Sequence, residues 1–145
     1  MVIEELVGQE LLSPWRVVEQ ARIDEFAHAT DDSQWIHTDP EQAAAGPFGT
    51  TIAHGFLTLS LVVPMFAEAL PQLDGYGMTL NYGLNRVRFT SPVPAGSRIR
   101  GRFRIEAVED VALGKQARVA ATIELEGQEK PACVAEALFR FLDPR

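Results

Sequence analysis

Asp32 and His37 stand five positions apart in Thr30-Asp31-Asp32-Ser33-Gln34-Trp35-Ile36-His37-Thr38, a stretch with neither helical nor strand period. A carboxylate and an imidazole can divide one proton transfer between them, because an imidazole ordinarily titrates near neutral pH. By spacing alone the plainer use is structural, with Asp32 closing a turn onto backbone N–H groups and His37 a partly buried loop residue. Ala53-His54-Gly55 is the second candidate. A backbone N–H at a helix start can hold an oxygen that gains negative charge, and Gly55 would leave that N–H uncovered. The simpler role for Gly55 is close packing where the chain enters the helix, and for His54 that of a satisfied structural histidine. Three histidines and several acids raise a metal site, yet there is no H-x3-H pair and no cysteine cluster, so none is expected. Signatures of a serine hydrolase, an NTPase or a dinucleotide enzyme are missing as well.

The element that must position these groups is the run from Phe56 to Leu70, in which only Thr58, Ser60 and Glu68 are polar. A helix apolar nearly all round has to be wrapped by the rest of its domain. It is short of the roughly 20 apolar residues that span a bilayer, and too long for a buried strand. Pro64 should bend it, and Leu59 and Val63 are expected inside its packing. Ser60 has no support as a nucleophile; its hydroxyl is placed to reach a pocket or an i−4 carbonyl.

Upstream, Trp15–Glu19 is β-prone. Residues 20–29 take helical spacing, with Ile23, Phe26, Ala27 and Thr30 on one face and His28 on the solvated side. Asp39-Pro40 reads as N-cap and first residue of a short helix that Gly46-Pro47 ends. After Pro71 the period becomes two, predicting strands near 78–90, 97–108, 115–126 and 131–142. Arg98, Arg100, Arg102 and Arg104 alternate with Ile99, Gly101, Phe103 and Ile105, so the arginine row is expected to be a solvated face. Residues 81–89 break the alternation, as a strand at a site or a subunit seam would. The resulting class is α+β: a curved, mostly antiparallel sheet around one long helix, the hotdog arrangement, with hairpins joining the later strands and the first strand at an edge.

At 145 residues one domain, 1–145, is expected. A net charge of −7 argues against nucleic acid as the main partner. The single cysteine cannot close an internal disulfide and sits in an apolar run. No signal peptide or membrane segment is evident, and the expectation is a soluble, cytoplasmic protein.

Taken together these residues resemble the MaoC-like dehydratases, which include the (R)-specific enoyl-CoA hydratases. The resemblance rests on Thr30-Asp31-Asp32-x4-His37-Thr38-Asp39-Pro40, on Ile52-Ala53-His54-Gly55, and on Asn81–Phe89 with Pro92–Ser97. The last stretch is most similar to the branch containing nodulation protein N. It implies a hotdog fold, a homodimer, and reversible addition of water to a trans-2-enoyl thioester, carried by coenzyme A or an acyl-carrier protein, giving an (R)-3-hydroxyacyl product. Asp32 and His37 become the catalytic pair and Gly55 N–H the carbonyl partner. Ser60, Asn85, Arg86 and Arg88 become candidates for substrate contact, and no cofactor is required. Two departures stand out. Asp31 replaces the glycine of the commoner T-G-D form, and Val63 stands where some relatives place a pocket serine. The rival readings are a hotdog acyl-CoA thioesterase, whose carboxylate would activate water against the acyl carbon, and a non-catalytic acyl-CoA-binding partner subunit.

Overall fold

Helix α4 in the computed structural model, which describes residues 1–144, runs from Gly55 to Ala69, ahead of strands β3 (Met78–Phe89), β4 (Arg98–Val111), β5 (Gly114–Leu125) and β6 (Cys133–Leu142). Leu57, Leu61, Met65 and Phe66 of α4 are buried against the sheet, with the Phe66 ring 5.1 Å from Phe103 of β4 and 4.8 Å from Phe139 of β6. The helix is not wrapped on every side. Phe56, Ser60, Val63 and Ala67 form the opposite row and are exposed, Phe56 by 68% and Val63 by 39%. The expectation that Val63 lies inside the packing therefore fails, and Leu59 is half-buried between the two rows. Hydrophobic residues on every side do not require cover on every side within one chain. The helix runs on through Pro64.

This asymmetry can be measured. Leu61→Ala should cost about 2–5 kcal/mol in urea unfolding, and the half-buried Leu59→Ala should fall at or below the lower end of that range. Equal losses would mean that α4 has no preferred inward face.

The sheet is antiparallel throughout, in the order β1–β4–β5–β6–β3, with β1 (Glu10–Leu12) and β2 (Arg16–Val17) both on the free side of β4. The strand before the helix thus joins at an edge, as expected. The later strands differ in one respect. β4, β5 and β6 form successive hairpins, but β3 pairs with β6 and not with its neighbour β4. The connector after β3 carries Pro92 and Pro94 and spends its backbone on the segment before α4. Ala53 N–H donates to the Val93 carbonyl at 2.8 Å, and Ala95 N–H to the Thr51 carbonyl at 2.9 Å.

Inward-facing Ile99, Phe103, Ile105, Ala117, Val119, Ala121, Ile123, Phe139 and Phe141 are buried. Cys133 is among them, and burial pushes its thiol up to about 11, as befits a core side chain rather than a nucleophile. On the outer face the arginines meet glutamates: Arg98 with Glu126 at 3.0 Å, Arg100 with Glu124 at 2.6 Å, and Arg102 with Glu124 and Glu10. Arg100 also lies over the Trp15 ring at 4.5 Å. Arg104, the fourth of the row, donates instead to the Gly8 carbonyl at 2.7 Å. For Glu124, burial raises the carboxyl, but hydrogen bonds from Arg100 and Arg102 outweigh it and hold the pKa below the ordinary value. A depressed carboxyl contributes stability above its unfolded pKa and loses it as pH falls through the folded one. Glu124→Gln should therefore lose stability near neutrality and show a shallower decline in acid, measured as Tm against pH.

Candidate active site

Helix α1 (Gln20–Thr30) delivers the first functional group. It ends on Asp31 in the left-handed conformation, φ 59° and ψ 27°, whose N–H returns to the Ala27 carbonyl. Asp tolerates that region better than most residues, and glycine adopts it freely. A glycine, as in the T-G-D form, would suit the backbone conformation that Asp31 adopts here. Asp31→Gly should leave turnover unchanged and raise stability by up to about 1 kcal/mol, read by urea unfolding. Asp32 follows, half-buried, with its main-chain N–H on the Ala27 carbonyl at 3.1 Å. Its carboxylate accepts from Gln34 Nε2 at 3.3 Å, so it is largely free for other work.

His37 lies in α2 (Trp35–Thr38), a short helix where no element was expected. One turn is too brief to register as a period in sequence. Next comes α3 (Pro40–Ala44), capped by the Asp39 side chain as its Asp-Pro pair requires. His37 is 6% exposed, and Ile52 clamps it from two directions. The Ile52 N–H donates to the Ile36 carbonyl at 3.0 Å, and the Ile52 carbonyl accepts from His37 Nδ1 at 2.7 Å. A carbonyl can only accept, so Nδ1 carries a hydrogen, and Nε2 is the nitrogen left to take up or release a proton. Gln20 adds a hold on the main chain, donating from Nε2 to the His37 carbonyl at 2.7 Å and accepting from the Thr51 hydroxyl. Nothing in the sequence marks Gln20 for this, since a polar residue opening a helix is ordinary.

The structure brings Asp32, His37 and His54 together: one nitrogen of each ring and one Asp32 oxygen all lie within 4.8 Å of one another. His54 was expected to be a satisfied structural residue. Its Nε2 does donate to the Asp32 main-chain carbonyl at 2.9 Å, but its Nδ1 is buried with no partner among the described residues. The two rings stack, centroids 3.8 Å apart and planes 23° from parallel.

His54 also precedes α4. Its carbonyl takes the N–H groups of Leu57 and Thr58, whereas those of Gly55 and Phe56 have no hydrogen-bond partner among the described residues. Two free donors thus point from the start of the long helix, within one residue of the cluster. A Cβ on Gly55 would sit 3.0 Å from the Phe89 ring, so glycine also satisfies the close approach of β3. Close packing and an open N–H are both present at that residue.

The remaining candidates separate. Ser60 donates from Oγ to the Phe56 carbonyl at 2.8 Å and lines a cavity of about 260 Å³ with Leu59, Val63, Tyr82, Leu84 and Phe139. Asp32 and His37 are not in its wall, but it begins at Leu59, four residues along α4 from Gly55, about 6 Å at the helical rise. Asn85 donates to Glu136 at 2.9 Å and faces a different hollow, beside Arg118 and Gln116. Arg86 and Arg88 are exposed on β3, and among the described residues neither pairs with a carboxylate.

Residues 2–128 match the family described as MaoC like domain. The chain is 52% identical over 139 residues to 3-hydroxyacyl-thioester dehydratase Z of Mycobacterium tuberculosis, covering 95% of this chain and 89% of that protein. It is 48% identical over 132 residues to nodulation protein N of Rhizobium leguminosarum bv. viciae, covering 89% and 82%. The (R)-hydratase from A. caviae involved in PHA biosynthesis superposes with a TM-score of 0.77 at 25% identity, covering 93% of this chain and 96% of the other. A hotdog sheet around α4, the D-x4-H and A-H-G residues meeting at its first turn, and similarity over nearly the whole length agree: this chain belongs to the MaoC-like dehydratase family.

Proposed function

We propose that the protein is an (R)-specific enoyl thioester hydratase, a hydro-lyase that adds water reversibly to trans-2-enoyl thioesters to give (R)-3-hydroxyacyl thioesters. The observation that carries this reading is the meeting of Asp32 and His37 beside the free N–H groups that open α4. The thioester carbonyl accepts from Gly55 N–H. Water held between the pair adds its oxygen to the β-carbon while Asp32 takes its proton. The π electrons move through the α-carbon onto the carbonyl oxygen, where a fixed donor stabilises the charge. The enolate collapses as His37, entering the step with a proton on Nε2, gives that proton to the α-carbon, and the proton that Asp32 took from water passes to the emptied Nε2 and restores the pair, so the sum is one water added. His37 Nε2 is the site for the transferred proton, because Nδ1 is committed to Ile52. An acyl chain leaving Gly55 along α4 reaches the cavity at Ser60 and Val63.

The active form in this reading is a homodimer. Phe56 of α4 and Leu80, Tyr82, Leu84 and Phe89 of β3 are 45–68% exposed, an apolar surface that a second copy would cover. Arg86 and Arg88 lie on the same strand, free to meet the phosphates of coenzyme A or of a carrier-protein arm. Loss of enoyl absorbance with crotonyl- through dodecenoyl-CoA tests the activity. Release of free thiol from saturated acyl-CoA without hydration would establish the thioesterase instead. Light scattering tests the assembly: a dimer is expected, with Leu84→Asp giving monomers, and a fully active wild-type monomer would refute it.

A further inference from the structure

We infer that His54 is a positioning residue for proton transfer, holding Asp32 by a hydrogen bond and His37 by a ring stack. The inference deepens the proposed function and rests on its assignment of Asp32 and His37 as the proton-transfer pair. The bond from His54 Nε2 to the Asp32 carbonyl, at 2.9 Å, ties the end of α1 to the start of α4. It sets the tautomer, with the hydrogen on Nε2 and a bare lone pair on Nδ1. The same ring lies 3.8 Å from His37 on one side, and Phe26 closes in at 4.9 Å, tilted 55°. His54 thus touches both partners, and it is 3% exposed.

The unpartnered Nδ1 is what separates this role from packing. An apolar ring would fill the same space without burying a lone pair that nothing satisfies. The imidazole incurs that penalty, and what it supplies in exchange is the N–H that the Asp32 carbonyl receives. Freed of that bond, the Asp32 main chain can drift relative to His37, and a misplacement near 1 Å costs on the order of 100-fold in rate.

Two variants divide the roles. His54→Phe keeps a stacking ring of similar shape and removes the donor; His54→Gln keeps a donor of similar reach and removes the ring. We expect His54→Phe to fold with a Tm at or above wild type, to lose about 10- to 100-fold in kcat with KM nearly unchanged, and His54→Gln to recover part of that kcat. Where the phenylalanine variant fails to fold, His54→Leu takes its place. In an Asp32→Asn background the His54→Phe change should cost nothing further, since it acts through Asp32. Wild-type kcat in His54→Phe, or a loss that follows Tm and adds fully to that of Asp32→Asn, overturns the inference. Wild-type turnover in Asp32→Asn alone would instead remove the catalytic pair itself, so the two failures are distinguishable.

Discussion

Asp32→Asn and His37→Ala should each lower hydration of a trans-2-enoyl thioester by about 10²–10⁴-fold, the usual contribution of a general acid or base. The asparagine keeps the size of the carboxylate and its contact with Gln34, and it leaves the main-chain bond to His54 untouched. Loss of activity would then report the missing base rather than a rearranged loop. His37→Ala removes a buried ring and its bond to Ile52, so it should also lower Tm. His37→Gln is the companion variant, because its amide nitrogen can donate to the same carbonyl while offering no proton for transfer. The double variant should be little worse than either single one, as groups acting as a unit are strongly non-additive. Near-wild-type turnover in Asp32→Asn or His37→Gln would remove the pair from the mechanism.

The second large effect concerns the fold. Phe103→Ala should destabilise the protein by about 3–5 kcal/mol, lowering Tm by on the order of 10 °C for a chain of this size. Phe103 is 1% exposed, packs its ring against Phe66 of the axial helix, and fills the space left open by Gly101 two residues earlier. A Cβ at Gly101 would overlap the Phe103 ring, so the absent side chain and the large one are complementary. Gly101→Ala should therefore also destabilise, by about 1–3 kcal/mol. A Phe103→Ala loss below about 1 kcal/mol would mean that α4 does not rest on β4 as described.

Much of the fold is legible from residue order because each part has a local cause. The arginine alternation of β4 and the inward row Ala117–Leu125 sit where period two puts them. Asp-Pro opens α3, and His28 is exposed on the solvent side of α1. The parts that residue order hides depend on long-range partners. Neither the pairing of β3 with β6 nor the clamp from Ile52 leaves a periodic trace, and the single turn of α2 is too short to show one. Val63 defies its expected burial because hydrophobicity records that a surface avoids water, not whether its own chain covers it. The bond from His54 to Asp32 spans 22 residues, and no spacing rule anticipates a ring shared between two motifs.

Because β3 pairs with β6, the sheet cannot be completed in the order in which its strands leave the ribosome. β4, β5 and β6 are joined in series by short connections, so their loops close early and cheaply, whereas β3 must wait for β6, whose first residue lies 44 positions beyond the end of β3. The strand carrying the open apolar side chains Leu80, Tyr82 and Leu84 is therefore expected to dock after the meander has formed. Until it does, those side chains project from an unpaired segment rather than a firm edge. The meander's amides should gain hydrogen-exchange protection first during refolding and those of β3 later, and the interval between them is a window in which the chain is exposed to aggregation.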